Sequence, residues 1–120
     1  MWDVQFDPGF DEEFKGLPAA VQDELLAQLL VIKEFGPGAK RPRVDTLNGS
    51  KHANMKELRF DADGGVWRAA FAFDPKRKAI VLVAGDKSGM GNEDRFYKGL
   101  IKKADVRFDA HLARLKNIRR

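Results

Sequence analysis

An α+β domain, with an antiparallel-rich sheet of about four strands and its N-terminal and C-terminal helices packed on one face, is the fold this sequence predicts. Three observations carry that prediction. Strand-like alternation runs through residues 1–6 and again through 55–73, where Leu58 and Phe60, then Trp67, Phe71 and Phe73, share a parity. Helical spacing marks two other stretches: Val21, Leu25, Leu29 and Ile32 near the N-terminus, and Tyr97, Ile101, Ala104, Phe108, Leu112 and Leu115 near the C-terminus. The order of strand, helix, three strands joined by short turns, and helix keeps the later strands together and the helices at the ends, as α+β domains do.

Each element follows from local signals. Trp2, Val4 and Phe6 alternate with polar residues in the first strand. Residues 11–15 suffice for a short helical turn. Pro18 stands in the first turn of the next helix, where its missing N–H costs nothing. Leu26 and Leu30 widen that helix's apolar stripe, and Gly36-Pro37-Gly38 ends it. Residues 36–54 then read as a basic loop, long for a compact domain and of a kind that is often functional. Residues 61–65 are rich in Asp and Gly and read as a hairpin turn between strands 55–60 and 66–73. Residues 74–78 turn again, and 79–84 are apolar on both faces, like a central strand. Residues 93 to about 116 form the last helix, capped by Asn92. By alternation, Glu57 and Arg59 point away from Leu58, and Arg68 and Ala70 away from Trp67. Both arginines therefore fall on the sheet face that the helices are expected to leave open.

A chain of 120 residues is expected to form one domain spanning 1–120. It has no cysteine, which excludes disulfides and thiolate zinc sites and fits a reducing cytoplasm, the expected location. The opening MWDVQFDPGFDEE is acidic and broken by Pro8 and Gly9, unlike a signal peptide. No apolar run approaches the roughly 20 residues of a membrane helix. The net charge of +4 is uneven: residues 1–35 hold eight acids against two bases, a net −6, and the rest carries +10. Either this is ordinary surface solvation, or a basic face serves an anionic polymer with the acidic helix kept away from it.

Arg59 and Arg68 are the leading candidates, because a planar guanidinium fork can donate two bonds to one phosphate. The competing reading is a surface salt bridge, for example Glu57 with Arg68 across the hairpin. Lys87 follows the central strand in Gly85-Asp86-Lys87-Ser88-Gly89; that order departs from a phosphate-binding P-loop, so a lysine at the edge of the open face is the functional alternative to a plain turn. Lys40, Arg41, Arg43 and Lys51 in the basic loop are candidate RNA contacts, and Lys56 beside them either contacts phosphate or is solvated. His52 is a candidate general acid or base, or simply a polar loop residue. Tyr97 either packs in the helix stripe or turns its phenol to the active face. His111, on the last helix, lies away from it. The tail residues Arg114, Lys116, Arg119 and Arg120 have no acid near them in sequence and suit either a helix C-terminus or RNA. Two distant histidines without clustered carboxylates give no expectation of a metal, and no cofactor is expected.

The stretch from His52 through Arg59 to Phe60 (HANMKELRF), followed by VWRAAFAFDP from Val66 and VAGDKSG from Val83, resembles the RelE/HigB toxins of type II toxin–antitoxin systems. It is most similar to their phage-derived HigB-like branch, as are RFYK from Arg95 and ADVRFDAHL from Ala104. The resemblance implies a compact RelE-like fold, a cognate antitoxin that is often a small helix-turn-helix protein, and ribosome-dependent mRNA cleavage by the RNA's own 2′-hydroxyl. It matches Arg59 and Arg68 to the family's sheet-borne arginines and Lys87 to a basic residue ending the last strand. His52, Lys56 and Tyr97 are further matches for catalysis or RNA binding. The expected partners are thus an antitoxin, the ribosome and mRNA, with no membrane. A non-enzymatic RNA- or antitoxin-binding member and a ParE-like gyrase poison are the alternatives.

Overall fold

A computed structural model of the chain describes residues 1–89 and 91–118, so Arg119 and Arg120 of the basic tail lie outside the described residues. The elements are β1 (Asp3–Phe6), α1 (Pro8–Lys15), α2 (Ala19–Phe35), a 3-10 turn (Gly36–Gly38), β2 (Val44–Thr46), β3 (Met55–Ala62), β4 (Gly65–Phe73), β5 (Lys78–Asp86) and α3 (Glu93–Ile118). The five strands form one sheet in the order β1-β5-β4-β3-β2, parallel only between β1 and β5. Among the described residues no helix is long and apolar enough to cross a membrane.

Local chemistry sets these boundaries. Asp7 caps α1, its carboxylate accepting from the amides of Gly9 and Phe10, with Pro8 at the first helical position. The β3–β4 hairpin turns on Asp63 and Gly64, both with positive φ, as a tight Asp-Gly turn requires. Asn92 caps α3 by accepting from the amide of Arg95.

Two expectations need correction. The loop of residues 36–54 is interrupted by β2, which adds a fifth strand; it spans three residues with only Val44 buried, too few for an alternation to register. The helices also cover both faces of the sheet rather than one. Phe10 of α1 and Val21, Leu25, Leu29 and Ile32 of α2 pack on Leu58, Phe60, Trp67, Phe71 and Val81. Leu100, Ala104 and Phe108 of α3 pack on Met55, Ala70, Ala72, Ile80 and Leu82 from the other side. The small side chains of Ala70 and Ala72 form a shallow bed for a helix, and β5, apolar on both faces, needs cover on both. Leu26 and Leu30 do not join the core: they are 47% and 66% exposed and border an apolar groove beside the edge strand β1. At about 100° per residue they stand a quarter-turn beyond the buried stripe.

Candidate active site

The register of the β3–β4 hairpin sets Arg59 directly opposite Arg68, and the β4–β5 register sets Gly85 on the other side of Arg68. The amide of Arg59 donates to the carbonyl of Arg43 at 2.8 Å, which extends the row toward β2. Like charges directly opposed across a sheet destabilise it. Glu57 compensates in part: its buried carboxylate lies 2.9 Å from Arg59 Nε. That N–H is not aimed at the oxygen, so the contact is an ion pair by distance and Nε makes no hydrogen bond. Glu57 thus serves Arg59 and not Arg68, contrary to the cross-hairpin pairing considered from sequence; in register it faces Ala70.

Arg68 is not on an open face. It is 9% exposed, because the first turns of α3 lie over it. Its Nε donates to Tyr97 Oη at 3.2 Å and its Nη1 to the carbonyl of Trp67 at 2.9 Å. No carboxylate joins it among the ion pairs of the described residues, so it is a buried cation held by neutral acceptors, which is rare outside functional sites. Gly85 makes the cover possible. A Cβ there would lie 3.0 Å from Phe96 Cε1, and Phe96 packs edge-on to Tyr97 with ring centres 5.3 Å apart.

Lys87 completes the cluster at the end of β5. Its amide donates to the carbonyl of Val66 at 2.8 Å. Its Nζ lies 2.6 Å from Glu93 Oε1 and 5.7 Å from the centre of the Tyr97 ring. Asp86 pins this turn by accepting from the amides of Val66 and Ser88 and from the Ser88 hydroxyl. Those bonds, the Ser88 hydroxyl foremost, hold its carboxyl below the ordinary aspartate value. Glu93 is likewise held below the ordinary glutamate value, by its hydrogen bond to Lys87, then the Lys87 charge, then more weakly by Arg68 and Arg59. Arg59, Arg68 and Lys87 therefore meet the carboxylates of Glu57 and Glu93 and the phenol of Tyr97 in one place, with a surplus of positive charge suited to a phosphodiester.

The other predicted residues lie elsewhere. His52 Nε2 is 2.8 Å from Asp109 on α3, and its ring stands edge-on to Phe108. Lys51 pairs with the same Asp109, and Ser50 Oγ with Asp105 one helical turn earlier. These residues fasten the β2–β3 loop along the acidic edge of α3, which removes His52 and Lys51 from the arginine row. Lys56 points to the opposite sheet face, 3.5 Å from Thr46 Oγ1, where it lines a groove with Lys40 and Arg41. Arg41 pairs with Asp45 at 3.5 Å. Arg43 is exposed and joins the row through its main chain only. His111 binds the buried Asp74 at 2.8 Å, and Arg114 lies 3.8 Å from Asp7, so the tail does have an acid beside it in space. No group of three or more metal-ligating side chains occurs among the described residues.

Sequence reasoning gave Glu57 only as a salt-bridge partner for Arg68 and missed Asp86 and Glu93. Glu57 was readable as an acid inside an apolar strand, and Asp86 as an Asp-Lys-Ser turn that bonds its own backbone. Glu93 carried no signal beyond opening a helix.

Residues 12–109 match the family model described as phage-derived protein Gp49-like (DUF891). Over 103 residues the chain is 43% identical to a protein of Mycobacterium tuberculosis strain H37Rv named as a candidate toxin, HigB2, covering 85% of this chain and 50% of that protein. Over 78 residues it is 49% identical to HigB3 of the same strain, named in the same way, covering 65% of each. The chain thus spans half the length of the first relative and about two thirds of the second. Among solved structures, E. coli toxin RelE with two arginines replaced by alanine, in the free state, superposes with a TM-score of 0.58 at 16% identity, over 85% of this chain and 95% of that one. The fold is therefore RelE-like, and the chain belongs to the phage-derived Gp49-like family.

Proposed function

We propose that this chain is the toxin of a type II toxin–antitoxin system, a ribosome-dependent mRNA endoribonuclease that inhibits translation in the cytoplasm and is held in check by a cognate antitoxin, a small helix-turn-helix protein. One observation carries this reading: Arg59 and Arg68 stand directly opposed with Lys87 beside them. Opposed cations weaken a sheet, so the arrangement makes sense where an anion is to be bound. The relatives named as candidate toxins support it.

In the reaction, the RNA 2′-hydroxyl gives up its proton to a base and its oxygen bonds to the adjacent phosphorus, while the bond to the 5′-oxygen breaks and that oxygen takes a proton from an acid. This leaves a 2′,3′-cyclic phosphate and a 5′-hydroxyl. Negative charge grows on the phosphoryl oxygens between those events. Arg59 and Lys87 are the partly exposed cations that meet it, at 31% and 20% side-chain exposure, and Arg68 adds its field from beneath. A guanidinium only donates hydrogen bonds, so the groups of the cluster with the chemistry to pass a proton are the Lys87 amine, the Tyr97 phenol and the carboxylates of Glu57 and Glu93. Ribosome dependence fits a site with modest acid–base equipment, since the ribosome supplies the in-line RNA geometry.

The test is cleavage of a short mRNA by the purified protein, on naked RNA and on ribosomes holding that mRNA with an empty decoding site. Cleavage is expected only on the ribosome, and Arg59→Ala should slow it by about 10²–10³-fold, the loss typical of one donor to a developing oxyanion. Arg68→Ala is expected to slow cleavage by a comparable factor. Uncut RNA in both settings would overturn the reading. A second reading, a member that binds RNA or antitoxin without cutting, draws on one observation: both histidines are committed to Asp109 and Asp74, away from the cluster. It predicts Arg59→Ala and Arg68→Ala effects on binding alone.

A further inference from the structure

We propose that Glu93 is an internal anion at the mouth of the arginine–lysine cluster, which an incoming phosphate must displace, so that this side chain sets how tightly the site holds a phosphodiester. The inference rests on the reading above that the cluster receives RNA.

The geometry separates a fixed partner from a movable one. Lys87 is anchored by its amide to Val66, lies over the Tyr97 ring and is 20% exposed. Glu93 is 63% exposed, and Lys87 is its one side-chain ion-pair partner among the described residues. When an external anion approaches Lys87, the exposed carboxylate is the group that can swing into water. The other carboxylate of the cluster cannot: Glu57 is 7% exposed and lies under Arg59. With Glu93 in place the cluster of Arg59, Arg68 and Lys87 carries one surplus positive charge, and with Glu93 displaced it carries two. The position of Glu93 is also not needed to start α3, because Asn92 supplies the cap to the Arg95 amide and Asp94 keeps an acid in the first turn.

The experiment measures binding without cleavage. A fluorescein-labelled RNA oligonucleotide carrying 2′-methoxy groups, which cannot be cut, is titrated at low salt with the wild-type protein and with Glu93→Gln, Asp94→Asn and Arg59→Ala, read by fluorescence anisotropy. Asp94→Asn removes the same charge one residue away from the contact, and thermal unfolding checks that all four proteins are folded. Glu93→Gln is expected to bind about three- to five-fold more tightly than wild type, the scale of an exposed ion pair, and Asp94→Asn to stay within about twofold. Equal gains in the two variants would reduce the effect to overall charge and overturn the proposal. Weaker binding by Glu93→Gln would make Glu93 a positioning residue for Lys87 and overturn it too. If wild type and Arg59→Ala bind the RNA equally, the RNA reading of the site fails by itself. Inorganic phosphate followed by the Tyr97 ring resonances then decides Glu93: tighter binding in Glu93→Gln sustains the displaceable anion, and unchanged binding ends it.

Discussion

Tyr97 is the residue on which the candidate site turns, because it reconciles a buried Arg68 with a sheet that offers it no carboxylate. Its phenol oxygen accepts the Nε proton, and its ring lies beneath Lys87. Replacing it with phenylalanine keeps the packing and strands the donor. Tyr97→Phe is therefore expected to destabilise the fold by about 1–3 kcal/mol, the cost of an unsatisfied buried polar group. Urea unfolding should show a lower midpoint with an unchanged slope; an unmoved midpoint would mean that Arg68 finds another acceptor. Alternation alone was enough to place Arg59 and Arg68 on one face, since parity is a local property of a strand. A Tyr97 phenol turned to the arginines was one of two readings open in the sequence; that α3 covers Arg68 was not legible, because it depends on which side of the sheet α3 takes, and contacts distant in sequence settle that.

At the scale of elements, α3 is held by ion pairs as well as by its apolar stripe. Arg107 donates to both oxygens of Glu13 at 2.8 and 2.7 Å and to the carbonyl of Leu82. Asp109 takes Lys51 and His52, and Asp74 takes His111. Hydrogen bonding to Arg107 holds the Glu13 carboxyl below its usual 4.5, and hydrogen bonding to Lys51, then to His52, holds that of Asp109 below 3.8. A carboxyl whose folded-state pKa is lowered stabilises the fold fully above its unfolded value and stops doing so as pH falls through the folded one. The thermal midpoint is thus expected to hold steady above those usual values and to fall beneath them. Glu13→Gln should show a lower midpoint at neutral pH and a smaller drop on acidification. Equal drops in both proteins would place the acid lability elsewhere. The helices and the β3–β4–β5 meander were legible because each repeats its own period for several residues. β2 was not, being three residues long, and the side taken by α3 was not, because β4 presents small alanines on that face and a bare bed looks like an open surface.

Across the whole molecule, the split between an acidic first third and a basic remainder is partly cancelled by folding. Asp7 and Glu13 of the acidic segment meet Lys103, Arg107 and Arg114 of α3. Of the other bases, Arg59, Arg68 and Lys87 form the cluster, and Lys40, Arg41 and Lys56 line a groove on the opposite sheet face. The sequence total of +10 therefore overstates the charge that one strand of RNA can meet at once. This gives a quantitative expectation. Each phosphate neutralised on single-stranded nucleic acid contributes a slope of about −0.7 to the logarithm of affinity against the logarithm of salt. Arg59, Arg68 and Lys87 acting alone predict a slope of roughly −2 for the uncleavable RNA, and Arg59→Ala should make it shallower by about 0.7. Lys56→Gln should leave the slope unchanged, since its charge lies across the sheet. A wild-type slope of about −4, made shallower by Lys56→Gln, would instead mean that the RNA wraps the β2 edge and reaches both faces, with the basic loop as the path between them.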